Sequence, residues 1–146
     1  MRILVDGDAC PVKEEVSKIA LKYNIALFIF ISLAHWNNNR VEAEHITVDS
    51  NYQEVDMVLI NRVESGDIVI TNDYGLASLA LGKNAYVISF YGKTFSEERI
   101  DYLLANRHFS AKLRRQGVYI SKASKYSGED KNRFIDTLSN LIEKLS

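Results

Sequence analysis

Ile3-Leu4-Val5-Asp6-Gly7-Asp8-Ala9-Cys10-Pro11 sets the fold class: an unbroken apolar run, a turn bearing two carboxylates, then a proline. Apolar residues without alternation mark a strand covered on both faces. Pro11 suits the first position of a helix, and Val12, Val16, Ile19, Ala20 and Tyr23 follow at helical spacing. A buried strand feeding a helix is the opening half of a parallel strand–helix–strand unit.

The pattern repeats outward from there. Ile25 to Ile31 reads as a second hydrophobic strand, residues 32–40 with Asn37-Asn38-Asn39 as a surface loop, and His45 to Val48 as a short third strand. Ser50 and Gln53 have capping-box spacing for a helix reaching about Glu64. Gly66 breaks the chain before the strand Asp67-Ile68-Val69-Ile70-Thr71. Tyr74 to Leu81 is a small helix that Gly82 would end, and Ala85 to Phe90 is another strand. Thr94 and Glu97 suit the start of a helix to about Gln116. Ser127 and Asp130 introduce a last helix with Phe134, Ile135, Leu138, Leu141, Ile142 and Leu145 on one face. The whole predicts one domain over residues 1–146, a three-layer α/β/α sandwich with a mostly parallel central sheet.

Composition narrows the function classes. The 146 residues are 47% hydrophobic and 25% charged, values of an ordinary globular chain. Cys10 is the one cysteine, so no internal disulfide forms and a cytoplasmic protein is expected. The apolar start is too short for a signal-peptide core, and no run is long enough for a bilayer. The net charge of −1 hides a division. Residues 1–82 carry 6 Lys/Arg against 12 Asp/Glu, and residues 83–146 carry 12 against 7. A metal site beside a polyanion groove would give that split, and so would chance unevenness of a solvated surface. The apolar strands permit a homodimer without demanding one.

Sites in parallel sheets lie beyond the carboxyl ends of the strands. Two apolar runs lead there into acids: Val5 into Asp6, with Asp8 two residues on, and Ile70 into Thr71-Asn72-Asp73. Asp56 shares a helix face with Leu59, Ile60 and Val63, which predicts a carboxylate turned toward the core. Carboxylates gathered in this way repel one another unless a cation neutralises them, and hard oxygen donors favour Mg²⁺ or Mn²⁺. Asp6, Asp8, Asp56 and Asp73 are therefore the candidate metal-ligating and catalytic residues, for chemistry of the phosphodiester-cleaving kind. Each has a plainer reading: loop and cap for Asp6 and Asp8, helix cap for Asp73, backbone or Arg partners for Asp56. Asp67 starts its strand and reads as structural.

Lys13, Thr71, Asn72, Arg107, Arg114 and Arg115 are the candidate substrate-binding residues, with Arg62 a lesser helper. From Arg107 to Arg133 the chain is rich in Lys and Arg and interrupted by Phe109, Tyr119 and Tyr126, a pattern that suits phosphate contacts with base stacking. A solvated helix face gives the same pattern. Trp36 is either a stacking residue or a packing anchor. Cys10 near a helix start could be a nucleophile, though a small packed residue is the preferred reading. His35, His45 and His108 have no metal-ligand spacing.

Asp6-Gly7-Asp8-Ala9-Cys10-Pro11-Val12-Lys13, together with Gly66-Asp67-Ile68-Val69-Ile70-Thr71-Asn72-Asp73-Tyr74-Gly75-Leu76-Ala77, resembles the YaiI/YqxD family (UPF0178, DUF188) of bacteria, related to PIN-like domains. The likeness covers almost the whole chain; Val55-Asp56 is similar to the family's Ala-Asp pair, and Asn106-Arg107 leads into its basic region. It implies a PIN-like fold and, since PIN-like domains often cleave RNA with an acidic Mg²⁺/Mn²⁺ site, a metal-dependent nuclease acting on RNA, with DNA as an alternative. The chain departs from the family at Gly7 (usually Ala), Gln53 (commonly acidic), Gly75 (commonly Pro) and Lys122-Ala123-Ser124 (in place of Gly-Gly-Pro). Two other readings stand beside the nuclease. One is a non-catalytic nucleic-acid-binding module whose acids hold a structural ion. The other is a haloacid-dehalogenase-like phosphatase using Asp6-Gly7-Asp8 as nucleophile and acid, for which the second acidic pair is incomplete at Asn72-Asp73.

Overall fold

The computed structural model describes residues 1–32, 43–48, 55–117 and 125–146. Its five strands are β1 (Ile3–Asp6), β2 (Leu27–Ser32), β3 (Glu44–Val48), β4 (Ile68–Ile70) and β5 (Tyr86–Ile88). They form one sheet in the order β3-β2-β1-β4-β5, parallel throughout. The helices are α1 (Lys13–Lys22), α2 (Val55–Arg62), α3 (Tyr74–Gly82), α4 (Glu97–Arg115) and α5 (Gly128–Leu145).

Side chains alternate across a strand, and here both sets are buried. Ile3, Val5, Ile29, Ile68, Ile70 and Ile88 pack against Val16 and Ile19 of α1 and Phe134, Leu138 and Ile142 of α5. Leu4, Phe30, Val69 and Val87 pack against Leu59 and Ile60 of α2, Leu76, Ala77 and Ala80 of α3, and Ile100 of α4. The three-layer α/β/α arrangement expected from the unbroken apolar runs is thus present.

Local signals decide where the elements stop. Helices α1 and α3 end alike, on Asn24 (φ 54°) and Asn84 (φ 63°). In each case the next N–H reaches back to close the last turn, from Ile25 to Ala20 O (2.9 Å) and from Ala85 to Ala80 O (3.1 Å). Asparagine tolerates this left-handed conformation; α3 ends at Gly82, where the sequence suggested, but the left-handed residue is Asn84 and not the glycine. Ile25 closes the first of these caps, Ala26 O accepts from Ile3 N–H at 2.9 Å, and β2 begins at Leu27. Pro11 stands one residue before the α1 cap, Val12, and not at the first helical position. Helix α4 is capped by Ser96, whose Oγ accepts from Arg99 N–H at 3.2 Å, while Thr94 forms an antiparallel bridge to Ile88. The expected Ser127–Asp130 capping box is present at α5. The expected start of α2 at Ser50 and Gln53 lies outside the described residues, as do Trp36, His35, Tyr119 and Lys122.

The turn after β5 docks on α5. Thr137 Oγ1 donates to Gly92 O at 2.8 Å, and Tyr126 OH donates to Phe90 O at 2.8 Å. Gly92 has φ +76°, and a Cβ there would lie 2.6 Å from backbone atoms of Arg133 and Phe134. No other residue fits that contact without moving a helix.

Candidate functional site

The connections leave β1 toward β2 on one side and return to β4 on the other, so the crevice of the fold opens at the carboxyl ends of β1 and β4. These strands pair with Ile3 against Ile68, Leu4 against Val69 and Val5 against Ile70. One step further, the register sets Asp6 beside Thr71. Leu4 and Val69 face α2, and so, two residues on, do Asp6 and Thr71.

A short chain of hydrogen bonds results. Asp73 N–H donates to Thr71 Oγ1 at 3.0 Å, and the Thr71 hydroxyl donates to Asp6 Oδ2 at 3.0 Å. Because Thr71 Oγ1 already receives a proton from the backbone, its own proton is directed at Asp6. Asp73 is the N-cap of α3, its Oδ1 accepting from Leu76 N–H at 3.1 Å. Asp8 Oδ1 accepts from Ser32 N–H at 2.8 Å, at the end of β2. That reach depends on Gly7, whose N–H donates to Phe30 O at 2.8 Å. A Cβ on Gly7 would come within 2.7 Å of the same carbonyl oxygen, so a glycine there keeps this turn tight against β2.

Asp56 sits in the first turn of α2, half-buried, with Oδ1 near its neighbour's Met57 N–H at 3.0 Å. The sequence placed it toward the core. At a helix's first turn, however, the side chain leans back over the end of the element, where nothing covers it fully.

Electrostatics ties the four acids together. Burial pushes the Asp6 carboxyl above the ordinary aspartate value; the Thr71 hydroxyl opposes this, and the charges of Asp8, Asp73 and Asp56 add to it. Their mutual influence extends further than ligation distances do: among the described residues, no three His, Cys, Asp or Glu side chains converge closely enough to hold one ion directly. The oxygen-donor chemistry nevertheless fits a hard cation, since Mg²⁺ keeps several waters and needs only one or two carboxylates.

The remaining sequence candidates divide. Arg107, half-way along α4, lines a cavity of about 380 Å³ with Asn72, Asp73 and Tyr74. Asn72 borders it while its Oδ1 accepts from Phe90 N–H at 2.8 Å. Thr71 is fully buried, its hydroxyl donating to Asp6 and accepting from Asp73 N–H. Lys13 opens α1 beside Cys10. Arg114 and Arg115 are exposed two turns beyond Arg107, roughly 10–12 Å along the axis, and lie outside the cavity. Arg62 is at the opposite edge of the sheet, its carbonyl receiving Arg2.

Burial pushes the Cys10 thiol up to about 12, which suits a packed residue and not a nucleophile. Tyr126 was a stacking candidate, but its hydroxyl is bound to Phe90 O and its ring meets Tyr91 edge-on. Lys131 pairs with Glu15 at 3.3 Å and Arg133 with Asp130 at 3.1 Å, both at the surface. The Asp67 carboxyl is pushed up by burial, yet hydrogen bonds from Arg2 and Glu64 N–H outweigh this and hold it below the usual range. Asp67 is structural and sits at the far edge, as its position at a strand start indicated. Sequence reasoning missed Lys93 and Arg99, which line a second cleft with Asn72 and Tyr74. The spacing Arg99, Leu103, Arg107 was the available signal.

The family model described as "Uncharacterized BCR, YaiI/YqxD family" matches residues 4–144. Similar proteins include UPF0178 proteins of Natranaerobius thermophilus (41% identical over 145 residues, covering 99% of this chain and 98% of the relative) and Clostridium kluyveri (43% over 142 residues, 97% and 93%). Another is from Bacillus velezensis, 40% identical over 141 residues, covering 96% of this chain and 84% of the relative. No solved structure matches the chain significantly. With the acid-bearing strand ends and nearly all of α5 inside the matched region, the chain belongs to the YaiI/YqxD family.

Proposed function

We propose that this protein is a metal-dependent phosphodiesterase of the nuclease type acting on RNA, with Asp6, Asp8, Asp56 and Asp73 as its acidic centre. The observation that carries the reading is Asp6. It ends the central strand at the crevice of the fold, and its carboxyl is raised by burial and by three further aspartates. A carboxylate made costlier to ionise by burial and by neighbouring acids, at the crevice of the fold, is a mark of functional sites. Mg²⁺ or Mn²⁺, held there partly through water, would supply charge stabilisation and an activated water. Thr71 fixes the Asp6 carboxylate, Asp73 is anchored by its cap, and Asp8 is held against β2. Arg107, which lines the same cavity as Asp73, would receive a phosphate oxygen.

The test is calorimetric titration of Mg²⁺ and Mn²⁺ into metal-free protein, beside cleavage of an RNA pool. Asp6→Asn keeps an acceptor for Thr71, and Asp73→Asn keeps the α3 cap, so the double variant should fold. Wild type should bind in the micromolar to millimolar range, and the double variant at least tenfold more weakly, with cleavage lost. Equal binding by both, or none by either, overturns the reading. A second reading, a binding module without turnover, draws support from the exposed bases of α4; RNA binding with no cleavage in either metal would favour it.

A further inference from the structure

Beside the acidic centre, between α4 and the turn after β5, lies a cleft of about 250 Å³. Its lining includes Lys93 and Arg99, the rings of Tyr74, Tyr91 and Phe95, and Asn72, with no carboxylate among the described lining residues. Phe95 is buried and meets Tyr74 edge-on at 5.9 Å, so that wall is rigid. Arg99 is half-buried, and its Nε is covered and without a hydrogen-bond partner. Among the described residues its guanidinium makes no ion pair. A partly desolvated guanidinium is normally paired. Here the cleft is where a partner can meet its terminal nitrogens.

Arg99, Leu103 and Arg107 follow one another at four-residue intervals, so they share a face of α4. That face borders both this cleft and the cavity holding Asp73, and the two hollows share Asn72 and Tyr74. The arginines are about 12 Å apart along the helix. Two cations, a fork-shaped donor and aromatic walls, joined to a second hollow, match a phosphoryl group carried on a nucleoside better than an isolated anion. Phosphate suits the arginine fork, and the tyrosine rings offer faces to a base or sugar.

We propose that the Lys93–Arg99 cleft is a nucleotide-phosphate subsite that holds one end of a strand while the adjoining nucleotide lies toward Asp73. This deepens the nuclease reading, but binding in the cleft needs neither metal nor the acids, so the two can fail separately. The experiment is calorimetry in EDTA with adenosine monophosphate, inorganic phosphate and adenosine. It compares wild type, Arg99→Gln, Lys93→Gln and a Lys18→Gln/Lys144→Gln control, two exposed lysines of α1 and α5 in the opposite helical layer. Adenosine monophosphate should bind more tightly than inorganic phosphate, and adenosine at least tenfold more weakly than the monophosphate. Arg99→Gln and Lys93→Gln should each weaken the nucleotide at least fivefold, while the control stays within twofold of wild type. Lys93 is exposed, so its variant remains informative should Arg99→Gln misfold. Unchanged affinity in Lys93→Gln, equal loss in the Lys18→Gln/Lys144→Gln control, or tighter binding of inorganic phosphate than of the nucleotide overturns the subsite. Retained nucleotide binding in a protein that neither binds metal nor cleaves RNA overturns only the nuclease reading.

Discussion

Asp6 has a carboxylate that water only partly reaches, one hydroxyl to stabilise its charge, and three like charges nearby. Ionising it therefore costs more in the folded chain than in the unfolded one. The linkage sign follows: the folded carboxyl binds its proton more tightly, so metal-free stability falls as pH rises from the unfolded value near 3.8 through the raised folded one. Asp6→Asn, which keeps the bond from Thr71, should raise the melting temperature in EDTA near pH 7 and do so less near pH 4. Added Mg²⁺ should raise the melting temperature of wild type and not of the variant. Thermal denaturation from pH 4 to 8 checks this. A variant less stable than wild type at pH 7 would mean that Asp6 is an ordinary structural acid.

At the scale of elements, α5 is held by a few specific contacts. Its apolar face buries Phe134, Leu138 and Ile142, and Tyr23 and Lys131 tie it to α1 through Glu143 and Glu15. The turn at Gly92 is its contact with the β5 side of the sheet. Gly92→Ala meets two penalties, a left-handed conformation of roughly 1 kcal/mol and an overpacked contact of about 1–3 kcal/mol. Urea unfolding should show a loss of about 2–4 kcal/mol. A loss below about 0.5 kcal/mol would mean that α5 rides outward without consequence, and that the turn does not fix the β5 side of the nucleotide cleft.

At the scale of the molecule, acids sit at the crevice and exposed bases run along α4 beyond it. Arg107, Lys112, Arg114 and Arg115 are exposed, and no ion pair to them is present among the described residues. Single-stranded RNA leaving the crevice along α4 would meet them in turn. Each phosphate contact on a single strand adds about 0.7 to the slope of log affinity against log salt. Arg114→Gln/Arg115→Gln should lower that slope by about 1.4, read by fluorescence anisotropy on a labelled RNA. An unchanged slope would remove α4 from the path of the strand.

The sequence by itself determined the layered architecture, because unbroken apolar runs such as Ile3-Leu4-Val5 and Ile68-Val69-Ile70 are stable only when covered on both faces. It also determined that Asp6, Asp8 and Asp73 would gather at one edge, because parallel strands end on the same side. The capping box of α5 was legible for the same reason, being local. The tertiary structure alone decided what depends on distant partners. The β1–β4 register made Thr71 a bridge between Asp6 and the backbone of Asp73, and folding brought Lys131 to Glu15 and set Arg133 against Asp130. Burial settled Cys10, and the meeting of α4 with the β5 turn made a cleft of Lys93 and Arg99. Periodicity and caps are read from neighbours in the chain; a pairing between residues far apart in sequence exists only after the layers close.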